Sequence, residues 1–269
     1  MKSIGTKYII LNSTIAFIIA CILVMTLHEF GHFFASILVN AKGISIHHNY
    51  VNYIEVGLSQ GQKIFIKAAG PIISLLIGLI FHFICYKDKA RDISFLLKLY
   101  FCSFGYIGFF GYLLIAPFFA VGDTGYICKA LGFPIALTIG IAIIGALILF
   151  FIMKSLMQYF VELGSREIIE NKETRKKFIS SLILVPVLIG IIITTLLNLP
   201  TINIISLIAP MCSPFTFLWT YSFALKKKYR TNNYNTQFYK LNKPHIWLYL
   251  IFTLTIIANR LLVHGIYAN

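Results

Sequence analysis

Carboxylates are scarce in this 269-residue chain: nine Asp and Glu stand against 23 Lys and Arg. Charged residues of either sign make up only 12% of it and hydrophobic ones 58%, at a mean hydropathy of +0.83, a balance that excludes an ordinary soluble protein. The five cysteines, Cys21, Cys85, Cys102, Cys128 and Cys212, are odd in number, scattered and without a CxxC pair, so neither a disulfide framework nor a thiolate metal site is expected. There is no internal repeat, no low-complexity segment and no polar stretch long enough for a regulatory domain. A net charge of +14 would suit a nucleic-acid binder in a soluble chain. Here Lys and Arg lie in the connectors, where they set topology and meet anionic lipid, so no nucleic-acid partner is expected.

What the chain does have is a series of unbroken apolar runs. A helix needs about 20 apolar residues to cross a hydrocarbon layer of roughly 30 Å. Runs at 8–39, 68–86, 96–120, 133–159, 178–198, 203–223 and 246–264 meet or approach that length. They are continuous rather than alternating, which selects helices over a closed barrel. The expected fold class is therefore an all-α polytopic membrane protein with six to seven transmembrane helices, seated in a lipid bilayer. The basic lead (Lys2, Lys7) and the first run read as an uncleaved span rather than a signal peptide.

One stretch departs from this pattern. Over 44–66, Ile44, Ile46, Val51, Tyr53, Val56, Ile64 and Ile66 alternate with polar positions, and 57–61 supplies a turn, so a small β insert of two or three strands is expected after the first helix. Gly43 is expected to take the left-handed cap that closes that helix.

The chemistry lies inside the first run, at His28-Glu29-Phe30-Gly31-His32. Two histidines four apart on a helix share one face and can hold one metal ion, with the glutamate beside it. Ionisable residues near the centre of a spanning helix cost about 2.5–3.5 kcal/mol each, a cost that asks for a partner. Of the nine acidic residues only Glu29 and Asp123 fall in or against apolar segments; Glu55, Asp88, Asp92, Glu162, Glu167, Glu170 and Glu173 read as connector residues. A common metal site explains both exceptions.

Catalytic zinc takes three protein ligands and leaves one position open. His28 and His32 supply two, and Asp123 is the expected third, because counting spans puts the ends of the first and third helices on the same side. Glu29 is the expected general base. His47 and His48 are expected as polar strand residues facing water, with a role as ligands or oxyanion donors as the alternative. His82 and His264 are expected near the membrane interface, as are Trp219 and Trp247.

These residues resemble the site-2 protease family of intramembrane zinc metalloproteases. His28-Glu29-Phe30-Gly31-His32 is similar to the family's HExGH helix, Ala69-Gly70-Pro71 to its Gly-Pro helix start, the strand-rich insert to its membrane-embedded sheet, and Pro117 with Asp123 to its third-ligand motif. The family's pattern has Asn three before the proline and Gly directly after the aspartate; Leu114 and Thr124 stand here, with Gly125 one place on. The resemblance covers about 8–130. It implies a catalytic core over 1–132, additional helices over 133–269, a Zn2+ cofactor, and cleavage of a membrane-spanning or membrane-associated protein substrate whose strand pairs with the edge of the insert.

Two other functions fit the same residues. A cation transporter predicts acidic residues along a path through the bundle, and the later spans carry none. A catalytically inactive relative would bind membrane proteins without cutting them, although Glu29 and both histidines are intact. Lys and Arg concentrate on the side away from the site (Lys2, Lys7, Lys87, Lys89, Arg91, Arg166, Lys172, Arg175, Lys176, Lys177). By the positive-inside rule that turns the site away from the cytosol, whereas bacterial members of the family mostly turn it inward, and the sequence leaves orientation open.

Overall fold

Helix α1 (Lys7–Leu38) runs through the middle of the molecule. The computed structural model describes residues 6–120, 122–201, 207, 211–226 and 238–268. The chain is 76% helical with a small three-stranded sheet. After α1 come strands β1 (Lys42–Ile46) and β2 (Val51–Ile54), then helices α2 (Gln60–Lys87), α3 (Ile93–Ile115), α4 (Asp123–Ala130), α5 (Ile135–Glu162) and α6 (Arg166–Glu170). Helix α7 (Lys172–Leu197) contains a π-helical turn at Ser180–Leu184, and α8 (Phe217–Ala224), α9 (Ile246–Leu262) and β3 (Ile266–Ala268) follow. Among the described residues α1, α2, α3, α5 and α7 are long and apolar enough to cross a membrane.

Burial sorts these helices. The most apolar window of α1 is 72% buried inside the protein, that of α5 only 22%. Ile143, Leu147 and Phe151, spaced by four on α5, present one exposed apolar stripe. In α1 the aromatic ring of Phe17 meets Phe104 edge-on at 4.9 Å and Tyr100 at 5.6 Å, pairs worth about 0.5–1.5 kcal/mol each beyond their burial. Phe217 of α8 packs on the same three rings, so the cluster joins the first half of the chain to the second.

Polar side chains tie α1 down at its N-terminal end. Pro186 has no N–H to give the Leu182 carbonyl one turn back, and that carbonyl accepts instead from Ser13 Oγ at 2.6 Å and Tyr100 Oη at 3.0 Å. Asn12 donates to the carbonyls of Leu241 and Lys243 and accepts from Tyr249. Nearby, Arg91 donates to Glu162, which is 1% exposed and also accepts from Gln158. Glu162 is thus no connector residue: it closes α5 and is buried, neutralised by an arginine from the α2–α3 turn.

The β insert is shorter than expected. Ser59 accepts from the Gln62 amide while the Gln62 side chain accepts from the Ser59 amide, a capping box that starts α2 at Gln60 rather than near 68. Ile64 and Ile66 are therefore helical, and the third strand comes from the other end of the sequence: β3 pairs antiparallel with β1, giving the order β2-β1-β3. Asn40 (φ 57°), not Gly43, takes the left-handed position after α1. Gly43 (φ 61°) lies instead within β1, at the register shift between Lys42 and Ser45. Phe33, Ile44 and Ile46 pack the sheet onto the last turns of α1.

Of the other expected spans, the third ends at Ile115 instead of 120, the fourth is shifted to Ile135–Glu162, and the fifth begins earlier, at Lys172. The sixth, at 203–223, lies partly outside the described residues; its described part is a 3-10 turn at Ser213–Thr216 and the eight residues of α8. The last is the 17-residue α9, shorter than a full crossing.

Candidate metal centre

Three ligand atoms meet where α1, α2 and α4 touch. His28 Nε2 and His32 Nε2 are 3.1 Å apart, and Asp123 Oδ2 lies 3.1 Å from the first and 3.2 Å from the second. The four-residue spacing puts both rings on one face of α1, and Asp123 arrives as the first residue of α4. All three side chains are buried. Tetrahedral ligands about 2.0–2.1 Å from a zinc ion stand about 3.4 Å from one another, so this near-equilateral triangle is the face such an ion occupies.

The rings are oriented from behind. His32 Nδ1 lies 2.7 Å from the Ile66 carbonyl, which can only accept, so Nδ1 donates and Nε2 is the ring nitrogen turned to the triangle. His28 Nδ1 lies 3.0 Å from Ser74 Oγ, and the Tyr112 ring stacks on the His28 imidazole at 4.9 Å. Outer partners of this kind fix the tautomer and strengthen the ligand. The two Nε2 atoms and Oδ2 of Asp123 thus converge on one point, an arrangement that could hold a shared metal ion.

The backbone of α2 comes close enough to do this because residue 70 has no side chain. A Cβ on Gly70 would lie 2.6 Å from His28 Nε2 and overlap His32 Nε2, and one on Gly31 would sit 2.8 Å from the Ala69 carbonyl. Pro71, which offers no backbone N–H, lies at the same crossing. On α4, Gly125 faces the Phe119 carbonyl where no Cβ fits, while Thr124 donates to the Tyr112 carbonyl at 2.5 Å. The displaced glycine of the third-ligand stretch is thus the residue at which the α3–α4 turn and α4 make their closest approach.

Glu29 is half-buried next to the triad, within electrostatic reach of both histidines, Asp123 and Lys67. Lys67 places Nζ 3.8 Å from Asp123 Oδ1, the carboxylate oxygen turned away from the histidines. Among the described residues this is the one group of three or more His, Cys, Asp or Glu side chains able to share an ion.

His47 and His48 do not belong to it. They form the β1–β2 turn and are buried rather than water-facing: His47 Nδ1 donates to the Val263 carbonyl, and His48 Nε2 and Asn49 Nδ2 donate to the Asn198 carbonyl at 3.1 and 3.0 Å. The tip of the hairpin is thereby latched to the ends of α7 and α9. Burial pushes the His48 imidazole below its usual range, and the hydrogen bond to Asn198 offsets only part of that. His82 is half-buried at 2.8 Å from Tyr106 Oη, and His264 is exposed.

The three candidate ligands expected from the sequence lie together, whereas Ser74, Lys67 and Tyr112 beside them were not singled out. For Ser74 a signal exists: Gly70, Ser74 and Gly78 recur every four residues, the small-residue stripe of closely packed helices. No family model matches this chain, and neither a curated protein nor a solved structure matches it.

Proposed function

We propose that this chain is a multi-pass membrane protein and a zinc-dependent endopeptidase, cutting a peptide bond in or near the transmembrane segment of a protein substrate. The observation that carries the reading is the convergence of His28, His32 and Asp123 on one point, with both imidazoles oriented from behind and a free carboxylate, Glu29, one residue along. The five apolar helices and the exposed stripe on α5 support the membrane setting. The hydrogen-bond partners fit zinc because they hold each imidazole by Nδ1 and turn Nε2 toward the common point. Zinc, when bound, polarises a carbonyl and acidifies water.

The chain's own residues supply the rest. Glu29 takes a proton from the attacking water and returns it to the leaving amine, a role worth about 10²–10⁴ in rate. Lys67 holds Oδ1 of Asp123 and so keeps Oδ2 turned toward the histidines. Because β3 covers one side of β1, an extended substrate backbone would pair with the outer side of β2.

The test is elemental analysis of the detergent-purified protein, prepared without chelator and soaked in zinc, beside Glu29→Gln. About one zinc per chain in both, with cleavage of membrane-protein substrates confined to the wild type, is the expected result. Absence of zinc from the wild type would overturn the reading.

A further inference from the structure

Helix α3 lies against α2 through small residues. A Cβ on Gly105 would overlap Gly78, and one on Gly108 would lie 2.8 Å from Ser74 Oγ, the oxygen behind His28. Tyr112 stands one helical turn beyond Gly108, on the same face of α3. The approach that admits Ser74 therefore also lays the Tyr112 ring on the His28 imidazole, with centroids 4.9 Å apart and planes within 18° of parallel. At its backbone, the Tyr112 carbonyl accepts from Thr124, next to Asp123. Tyr112 is thus fixed twice, by one ligand ring and by the helix that carries the third ligand.

Its hydroxyl has no such tie. It lies within electrostatic reach of Asp123 and Glu29, on a half-buried side chain, and makes no hydrogen bond to any described residue. The neighbouring donors are committed: Ser74 lies against His28 Nδ1, Lys67 pairs with Asp123 Oδ1, and Thr124 bonds the Tyr112 carbonyl. Stacking alone would be served as well by phenylalanine, of which this chain has 24. A hydroxyl carried into an apolar helix at a desolvation cost, and then left unbonded beside the ligands, is a donor available to something else.

We infer that Tyr112 is a further catalytic residue, whose hydroxyl donates a hydrogen bond to the carbonyl oxygen of the scissile peptide and holds that oxygen as negative charge builds on it. The inference rests on the peptidase reading. No bond to Tyr112 forms or breaks: its own proton stays on the phenol oxygen, and the proton that moves is the one Glu29 takes from water and returns to the leaving amine.

The experiment compares full-length wild type, Tyr112→Phe and Tyr112→Leu, zinc-loaded in a nonionic detergent. The probes are an apolar decapeptide of Ala and Leu carrying a fluorophore and a quencher, and its phosphinic counterpart, in which a phosphinate and a methylene replace the central carbonyl and N–H. The phosphinate oxygen bears the charge that the carbonyl oxygen acquires during attack. Tyr112→Phe, which keeps the stacked ring, is expected to retain its zinc, to bind the phosphinic probe about a hundredfold more weakly, and to lose about a hundredfold in kcat with KM unchanged. Tyr112→Leu, which removes the ring as well, should in addition weaken zinc affinity about tenfold. Equal binding of the phosphinic probe by wild type and Tyr112→Phe overturns the inference. So does loss of zinc from Tyr112→Phe, which would place the hydroxyl among the supports of the metal. Wild type that cleaves the peptide no faster than Tyr112→Phe removes the donor and keeps the peptidase; wild type that does not cleave, yet prefers the phosphinic probe over Tyr112→Phe, keeps the donor and sinks the peptidase reading. Neither cleavage nor binding of the phosphinic probe by wild type overturns both.

Discussion

The two ends of the helix bundle each bury charged groups, and they do so in opposite ways. At the end where α2 meets α3, the buried charge has its complement: Arg91 donates to Glu162, Gln158 fills the other oxygen of that carboxylate, and Lys98 lies 2.6 Å from Asp88. At the other end Nε2 of His28, Nε2 of His32 and Oδ2 of Asp123 turn toward a common point, and both rings are held from behind at Nδ1. A buried cluster whose donors and acceptors match is finished as folded. One in which three possible ligand atoms converge could still take up an ion, and this difference distinguishes the two clusters more than burial, which both share.

Substitutions that treat the two ends differently test the contrast. The largest effect is expected from Asp123→Ala and His32→Ala, which should abolish stoichiometric zinc while leaving the far-end ion pair, and so the folded helical bundle, in place; elemental analysis and circular dichroism read the two separately. Should only Asp123→Ala keep its metal, the third ligand lies elsewhere. Glu162→Ala should do the converse. Removing one partner of a buried pair typically costs about 3–5 kcal/mol, so the melting temperature should fall steeply while the folded fraction keeps its zinc. Loss of zinc at equal folded fraction would mean that the two ends are coupled.

Ser74→Ala sharpens the comparison by keeping every ligand and removing only the oxygen behind His28. Zinc affinity in competition with a chelator should weaken about tenfold, the lower range for outer-partner losses. The smallest effect is expected from pH at the hairpin latch. Because the folded His48 sits below its usual range, the latch is fully present above the unfolded value of about 6.5 and is lost as pH falls toward the folded one. The groups facing it are His47, Arg260 and the Asn198 carbonyl, two of them positive or able to become so, which adds to the penalty for protonation. Protection of the 45–50 amides, taken relative to their intrinsic exchange rate at each pH, should therefore fall between pH 7.5 and 5.5 in the wild type and stay constant in His48→Gln.

Where sequence reasoning worked, the signal was local. The His28–His32 spacing needs only a helix, and the cost of placing Glu29 and Asp123 against apolar runs is a property of composition. Where it failed, the deciding partner was distant. Ile64 and Ile66 alternate like a strand, yet the Ser59–Gln62 capping box makes them helical, and the strand that completes the sheet lies more than 200 residues away at Ile266–Ala268. Glu162 read as a connector residue because its neutralising charge, Arg91, is 71 positions earlier. His47 and His48 read as solvent-facing because nothing near them in the chain predicts the carbonyls of Asn198 and Val263.

The sequence by itself determined that the chain is helical, apolar and carries two histidines on one helix face, since helix periodicity and hydropathy are fixed by neighbours within a few turns. Only the tertiary structure decided that the three ligand atoms meet within 3.2 Å, that the Ile66 carbonyl and Ser74 orient the rings, and that Tyr112 stacks on His28 beside them. Those relations depend on how closely α1, α2 and α4 approach. That distance is set by the missing side chains of Gly31, Gly70 and Gly125 acting across helix contacts, not along the chain.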